Sequence, residues 1–271
     1  MGELQKVTPL PIKKPVITKT YQEEQATECS LCNDTEFIIL DNNTVGYCEC
    51  RKQKELQRRI KSSTIDPANM KVAFENYRIM PHNKKMYECV TEYAKNFDEI
   101  KGTQNNSLGF LAVVGEATIK AANMRERQQL MAEHNNFGLG KTHLQTALAL
   151  DLIHCGYTVL MVNDADVIAE LRAAQFEGEI NNKIANMADV DLLIWDDLGK
   201  SKYTDWVQTQ VYQIINQRYR SGLPIVFSSN EDSETLAEKV GGAAVSRLYS
   251  MCRGRWIESE GPDYRLGNDR S

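Results

Sequence analysis

Apolar positions in this chain follow two rhythms. Short, nearly continuous apolar runs occupy Gly109–Val114, Tyr157–Asn163, Val190–Trp195 and Ile225–Ser229. Between them lie longer segments with helical spacing, at Lys84–Phe97, Thr142–His154, Asp166–Phe176 and Trp206–Ser221. Strands that alternate with helices of this length predict a parallel sheet with crossover helices, an α/β fold. No internal repeat is visible. This regime starts near residue 74 and runs to residue 271.

The first quarter of the chain reads differently. Residues 1–28 are polar, with Pro9, Pro11 and Pro15, and are expected to form a flexible arm. Residues 29–50 place four cysteines around the strand-like Phe37-Ile38-Ile39-Leu40, which the turn signal Asp41-Asn42-Asn43 follows. The segment 51–61, RKQKELQRRIK, predicts a short basic helix, a solvated face or a contact for an acidic partner or nucleic acid. Ser62, Ser63, Asp66 and Pro67 mark residues 62–73 as a linker.

Composition narrows the function. The 271 residues suffice for one substantial domain and a small extra module. No apolar run is long enough to span a bilayer, and the N-terminus has charges and prolines where a signal peptide needs an apolar stretch. A cytoplasmic protein without a membrane partner is expected. The net charge of −5 argues against gripping duplex DNA by charge alone, so any nucleic-acid contact is local or formed in an assembly.

The strongest chemical signal is Gly138-Leu139-Gly140-Lys141-Thr142 at the head of a predicted helix. Backbone N–H groups of such a turn, with the helix dipole, cradle phosphates. Lys141 would reach the outer phosphates, and the Thr142 hydroxyl would hold Mg2+. The pattern GxxxxGK[ST] needs a glycine at position 135, which is Asn135. Removing the 20 residues Ala117–Asn136 joins Gly115-Glu116 to Phe137 and restores it. Residues 117–136, rich in helix formers, are therefore read as an insertion that splits the loop and is extruded from it.

Leu192–Asp197 is an apolar strand ending in two carboxylates. Asp196 would stand in the Mg2+ shell, and Asp197 would orient or deprotonate the attacking water. The next strand ends in Ser228-Ser229-Asn230, where Asn230 could bond that water or the terminal phosphate, or simply start a turn. Arg247 lies on a predicted helix; it is either a surface arginine or one that completes a neighbouring subunit's site.

Cys29-x2-Cys32, fifteen residues, then Cys48-x-Cys50 gives two close thiolate pairs. In a reducing compartment this pairing points to a structural Zn2+ held by four sulfurs rather than to disulfides. So small a segment cannot bury a core alone, so the metal would supply its folding energy.

These stretches together resemble the DnaC/DnaI-type helicase loaders and the related IstB transposition ATPases, all AAA+ proteins. The likeness is carried by Phe74-Glu75-Asn76-Tyr77, the split loop through His143, Asp191–Gly199, residues 214–230, Ser246-Arg247-Leu248 and Gly261-Pro262-Asp263-Tyr264-Arg265. It implies an AAA+ P-loop NTPase fold, a parallel sheet flanked by helices, with a small N-terminal zinc-binding domain. It also implies an ATP site in which Gly115, Glu116, Gly138, Leu139, Gly140, Lys141, Thr142 and His143 form the loop. Asp196 and Asp197 supply the acidic strand end, Asn230 acts as the first sensor and Arg247 as an arginine finger. Arg253 and Arg255 are further candidates for a phosphate sensor. The implied partners are a replicative hexameric helicase, held by the zinc module, single-stranded DNA, and further copies of the chain. A transposition ATPase and a hydrolysis-deficient helicase-binding adaptor stay open as alternatives.

Overall fold

The computed structural model describes residues 29–40 and 44–261. The expected arm, the turn at Asp41–Asn43 and the Pro262–Arg265 motif lie outside the described residues. The chain opens with an antiparallel hairpin, β1 (Phe37–Ile39) and β2 (Val45–Tyr47), and then α1 (Cys50–Ser62). Two 3-10 turns follow, at Pro67–Asn69 and Phe74–Asn76. The main domain runs α2 (Lys84–Lys95), α3 (Phe97–Ile100), β3 (Leu108–Ala112), α4 (Glu116–Ala121), α5 (Met124–Glu133) and α6 (Lys141–His154). It continues with β4 (Val159–Asn163), α7 (Asp164–Glu177), α8 (Ile180–Asp189), β5 (Leu192–Asp196) and α9 (Asp205–Ser221). It closes with β6 (Ile225–Ser228), α10 (Ser233–Val240), α11 (Gly242–Met251) and β7 (Trp256–Ser259).

Strands β3 to β7 form one parallel sheet in the order β4-β5-β6-β3-β7, flanked by helices. Because successive side chains point to opposite faces, each strand feeds two cores. Leu193, Trp195 and Phe227 pack on one face with α7, α8, α9 and α11, whereas Leu192, Ile194 and Val226 pack on the other with α2 and α6. Burial on both faces explains why these strands read as unbroken apolar runs.

Several elements, α8, α10 and β7 among them, carry no clear signal in the sequence. Strand β7 contains only two apolar residues, Trp256 and Ile257, and it exists because its backbone pairs with β3 from Gly109 to Ala112. Residues 62–73, expected to be a linker, instead lie along the free edge of β4. There Met161 N donates to Ser63 O at 2.9 Å, and Ile65 is buried in the core. The basic face of α1 is partly neutralised within the module, by Lys54 on Asp34 at 2.5 Å and by Arg58 on Glu36. Among the described residues no helix is long and apolar enough to cross a membrane.

The sheet also dictates one glycine. Gly109 on β3 faces Phe227 on β6, and a Cβ at position 109 would come within 2.5 Å of the ring. Gly109→Ala should therefore destabilise the domain by about 1–3 kcal/mol through overpacking. Urea denaturation measures this, with partial recovery expected on adding Phe227→Leu. An unchanged midpoint would show that the ring is free to move.

Candidate functional site

In an open parallel sheet, ligands bind beyond the carboxyl ends of the strands, where the strand order reverses. Here β3, β5 and β6 end together against the N-terminus of α6. The turn into α6 needs left-handed backbone at Gly138 (φ 65°) and Gly140 (φ 82°), which glycine adopts without a Cβ clash. A Cβ on Gly140 would also meet the Tyr77 ring at 2.7 Å. Tyr77 lies against this turn and donates its hydroxyl to Leu139 O at 3.0 Å. The amides that open α6 at Lys141 and Thr142 thus stand at the positive end of the helix dipole.

The side chains converge in one network. Lys141 Nζ donates to Ser229 O at 2.9 Å and to Asn230 Oδ1 at 2.6 Å. Thr142 Oγ1 donates to Asp196 Oδ2 at 2.9 Å, and Ser228 Oγ donates to Asp196 Oδ1 at 2.5 Å. With its amide oriented to satisfy both neighbours, Gln145 donates to Asp196 Oδ1 at 2.8 Å and accepts from Ser228 N at 3.0 Å. Asp197 has φ 57°, unusual for a residue with a Cβ, and its N–H is held by Ser228 Oγ at 3.0 Å. Its carboxylate accepts from Asn230 Nδ2 at 3.3 Å and from Lys200 Nζ at 2.6 Å.

Burial tunes the charges. It brings Lys141 down to about 8, against the pull of Asp197 and Asp196. Burial likewise raises Asp196, and the nearby negative charge of Asp197 adds to this. Beside the network lies a cavity of about 410 Å³, lined by the turn from Asn136 to His143 and by Asn69, Val72, Tyr77, Glu116, Asp197, Lys200 and Asn230. A row of helix-start amides, a buried lysine, and a hydroxyl beside a carboxylate suit a phosphate chain carrying a divalent cation.

Residues 117–136, expected to be an insertion, form most of a helix pair, α4 and α5, and the turn that leads back to Phe137. The first half of the loop turns toward the end of β6. Gly115 N donates to Asp232 Oδ2 at 2.8 Å, Glu116 N to Asn230 O at 2.9 Å and Ala117 N to Glu231 Oε2 at 2.9 Å. These amides are spent within the protein, so of the two halves it is the contiguous one, 138–142, whose amides stand at the start of α6. Glu116 still lines the cavity with its side chain, whereas Gly115 stands behind it against Asp232. The return is tied down as well: His134 Nδ1 lies 2.7 Å from Glu260 Oε2, Asn135 Nδ2 donates to Gly261 O at 2.6 Å, and Asn136 Nδ2 donates to Val114 O.

Other candidates fall elsewhere. His143 lines the cavity, but its Nε2 lies 3.0 Å from Ala73 O and its ring packs on Tyr77. Arg247 is held on α9, bonded to Asn216 at 2.9 Å and stacked over Tyr212, away from the cavity of its own chain. Arg255 does not serve this cavity as a phosphate sensor. Its Nε donates to Ser107 O at 3.1 Å, at the opening of β3, the end of the sheet opposite the phosphate loop. Arg253, exposed just before β7, is at that same end. Sequence reasoning missed Gln145 and Lys200 as members of the network and the Glu231–Asp232 clamp. Only contacts between distant elements single them out.

The four cysteine sulfurs of the N-terminal module lie within 4.8 Å of one another, with Cys29–Cys48 at 3.7 Å and Cys32–Cys50 at 3.4 Å. A tetrahedral metal bound at about 2.3 Å requires sulfur separations of about 3.8 Å, so the set fits such an ion. Backbone amides of Leu31 and Cys32 on the Cys29 sulfur bring that thiol down to about 7, whereas desolvation and the neighbouring thiols push Cys50 up.

Comparison with known proteins agrees with this geometry. The family model for IstB-like ATP binding proteins matches residues 83–268. The phage-like element PBSX protein XkdC of Bacillus subtilis (strain 168) is 27% identical over 272 residues, covering 94% of this chain and 92% of that protein. The replicative helicase loader DnaI of the same organism is 24% identical, over 81% of this chain and 70% of its own length. The crystal structure of a DNA replication initiation factor shares the fold with a TM-score of 0.55 at 23% identity. It matches 75% of this chain, which spans 53% of that longer one.

Proposed function

The chain belongs to the IstB-like ATP-binding protein family, and from that premise we propose that it binds and hydrolyses ATP to load a replicative hexameric helicase onto DNA. One observation carries the ATP site: Lys141, Thr142, Asp196, Asp197 and Asn230, from three separate stretches, meet in one hydrogen-bonded network beside a nucleotide-sized cavity. In this reading the amides of 138–142 and Lys141 take the phosphates. Thr142 and Asp196 hold Mg2+, which would neutralise phosphate charge. Asp197 accepts the proton of the attacking water, and Asn230 orients that water. Arg247, remote from its own cavity, would act on the site of a second copy.

The loader reading draws on the likeness to DnaI and on the cysteine module, which we propose holds Zn2+ and docks the helicase. Single-stranded DNA would be bound through backbone and stacking contacts, since the net charge is −5. A transposition ATPase is the second reading, favoured by the family model itself. A deciding experiment is ATP turnover with single-stranded DNA and a hexameric helicase added singly and together. Stimulation by the pair, lost in Lys141→Ala, is expected. Turnover that answers only to a transposase on duplex DNA would select the second reading, and nucleotide binding without turnover would select a helicase-binding adaptor.

Lys141 also sets a pH dependence. Its ammonium sits at about 8 in the free site, and bound phosphates would raise it, so the complex holds the proton more firmly. Affinity should therefore be flat below pH 8 and fall above it, by up to about tenfold per pH unit. Calorimetric titration of Mg2+·ADP across this range measures it, and affinity rising with pH would contradict the assignment.

Native mass spectrometry should find one zinc per chain. Chelation should unfold residues 29–50, seen as rapid amide exchange, and leave nucleotide binding intact, because only Ile60 of α1 is buried against the main core. Loss of nucleotide binding on chelation would refute this division.

A further inference from the structure

Lys200 lines the cavity three residues beyond Asp197, and the roles above leave it unused. Its Nζ lies 2.6 Å from Asp197 Oδ2, while Asp197 Oδ1 accepts from Asn230 Nδ2 at 3.3 Å. Both oxygens of the carboxylate assigned to the attacking water are therefore engaged. An oxygen capped by an ammonium is not open to a water molecule, so in this arrangement Lys200 covers Asp197 Oδ2.

The backbone around Lys200 is held by hydrogen bonds, while its side chain is exposed. Ser201 N donates to the buried Asp164 Oδ2 at 2.9 Å and Gly199 N to Asp164 Oδ1 at 3.3 Å, bracketing the residue. Lys200 N itself donates to Asp197 O at 3.0 Å. The side chain is 56% exposed, so its ion pair is weak and readily exchanged for a stronger anion at the same place. Lys141 is already committed to Ser229 and Asn230 on the buried side of the network. Lys200 is thus a second cation on the cavity wall, and it stands on the side where Asp197 meets solvent.

We propose that Lys200 is a γ-phosphate-binding residue that releases Asp197. A bound nucleoside triphosphate draws the ammonium from Asp197 to the γ-phosphate and leaves Oδ2 free. A diphosphate has no group at that position and leaves the pair closed. In the hydrolytic step the water oxygen bonds to the γ-phosphorus while the bond from that phosphorus to the β–γ bridging oxygen breaks. The electron pair departs with ADP, the water proton goes to Asp197, and Lys200 contributes charge alone, keeping its proton. This inference rests on the ATP-site reading above.

The test compares Mg2+·ATPγS and Mg2+·ADP binding to the full chain by calorimetry for wild type, Lys200→Met and Lys200→Arg. Lys200→Met should weaken ATPγS by about tenfold or more, the scale of a charge-assisted hydrogen bond, and leave ADP unchanged. Lys200→Arg should keep most of the preference for the triphosphate. Equal loss for both nucleotides, or loss for neither, would overturn the role of Lys200 while leaving the ATP site standing. A wild-type chain that binds neither nucleotide would overturn the site reading and this inference with it.

Discussion

A buried lysine facing two carboxylates governs the architecture of this protein. Lys141 is 7% exposed and Asp196 is 8% exposed, and charges so placed are tolerated only where every lone pair and proton finds a partner. Ser228 and Gln145 engage one oxygen of Asp196 and Thr142 the other, while Ser229 and Asn230 take Lys141. These partners sit on different elements, so the ends of β5 and β6 and the start of α6 must hold register for the charges to remain. The apolar layers on the two faces of the sheet supply the rigidity that keeps them there.

That constraint also explains how the turn before α6 accommodates the two helices between Gly115 and Phe137. The helices lie upstream of the glycine turn that opens α6. The half that matters stays contiguous with α6, with Tyr77 packed on it from outside. The displaced half is not left with unpaired amides, because Asn230, Glu231 and Asp232 take them. Asn135 and Asn136 then fasten the returning segment to Gly261 and Val114. Side-chain and backbone hydrogen bonds hold the two halves in place where an unbroken loop would use a short covalent connection.

The cysteine module follows a different physics. Its hairpin exposes Phe37, Ile39, Val45 and Tyr47, so apolar burial contributes little to its fold. Four convergent thiols are what it has in place of a core. Helix α1 carries it onto the main domain through Ile60, and the segment after it covers the edge of β4, a position where an unpaired strand would otherwise invite foreign pairing.

Much of this was legible in the sequence. Unbroken apolar runs betray strands buried on both faces, glycines before Lys141 betray a tight turn, and paired cysteines betray a convergent thiol cluster, because each is a local pattern with a local cause. Strand β7 was not legible, since two apolar residues cannot announce a strand that its neighbour's hydrogen bonds create. Arg255 shows the limit from the other side: a positive charge near a motif reads as a phosphate ligand, yet the parallel sheet carries it to the opposite end. Gln145, Lys200, Glu231 and Asp232 acquire their roles only by proximity. The sequence alone determined which chemistry the chain carries, because side-chain type and short spacing decide that. The tertiary structure decided which groups share it and which half of the split loop faces the cavity, because those depend on contacts between residues far apart in the chain.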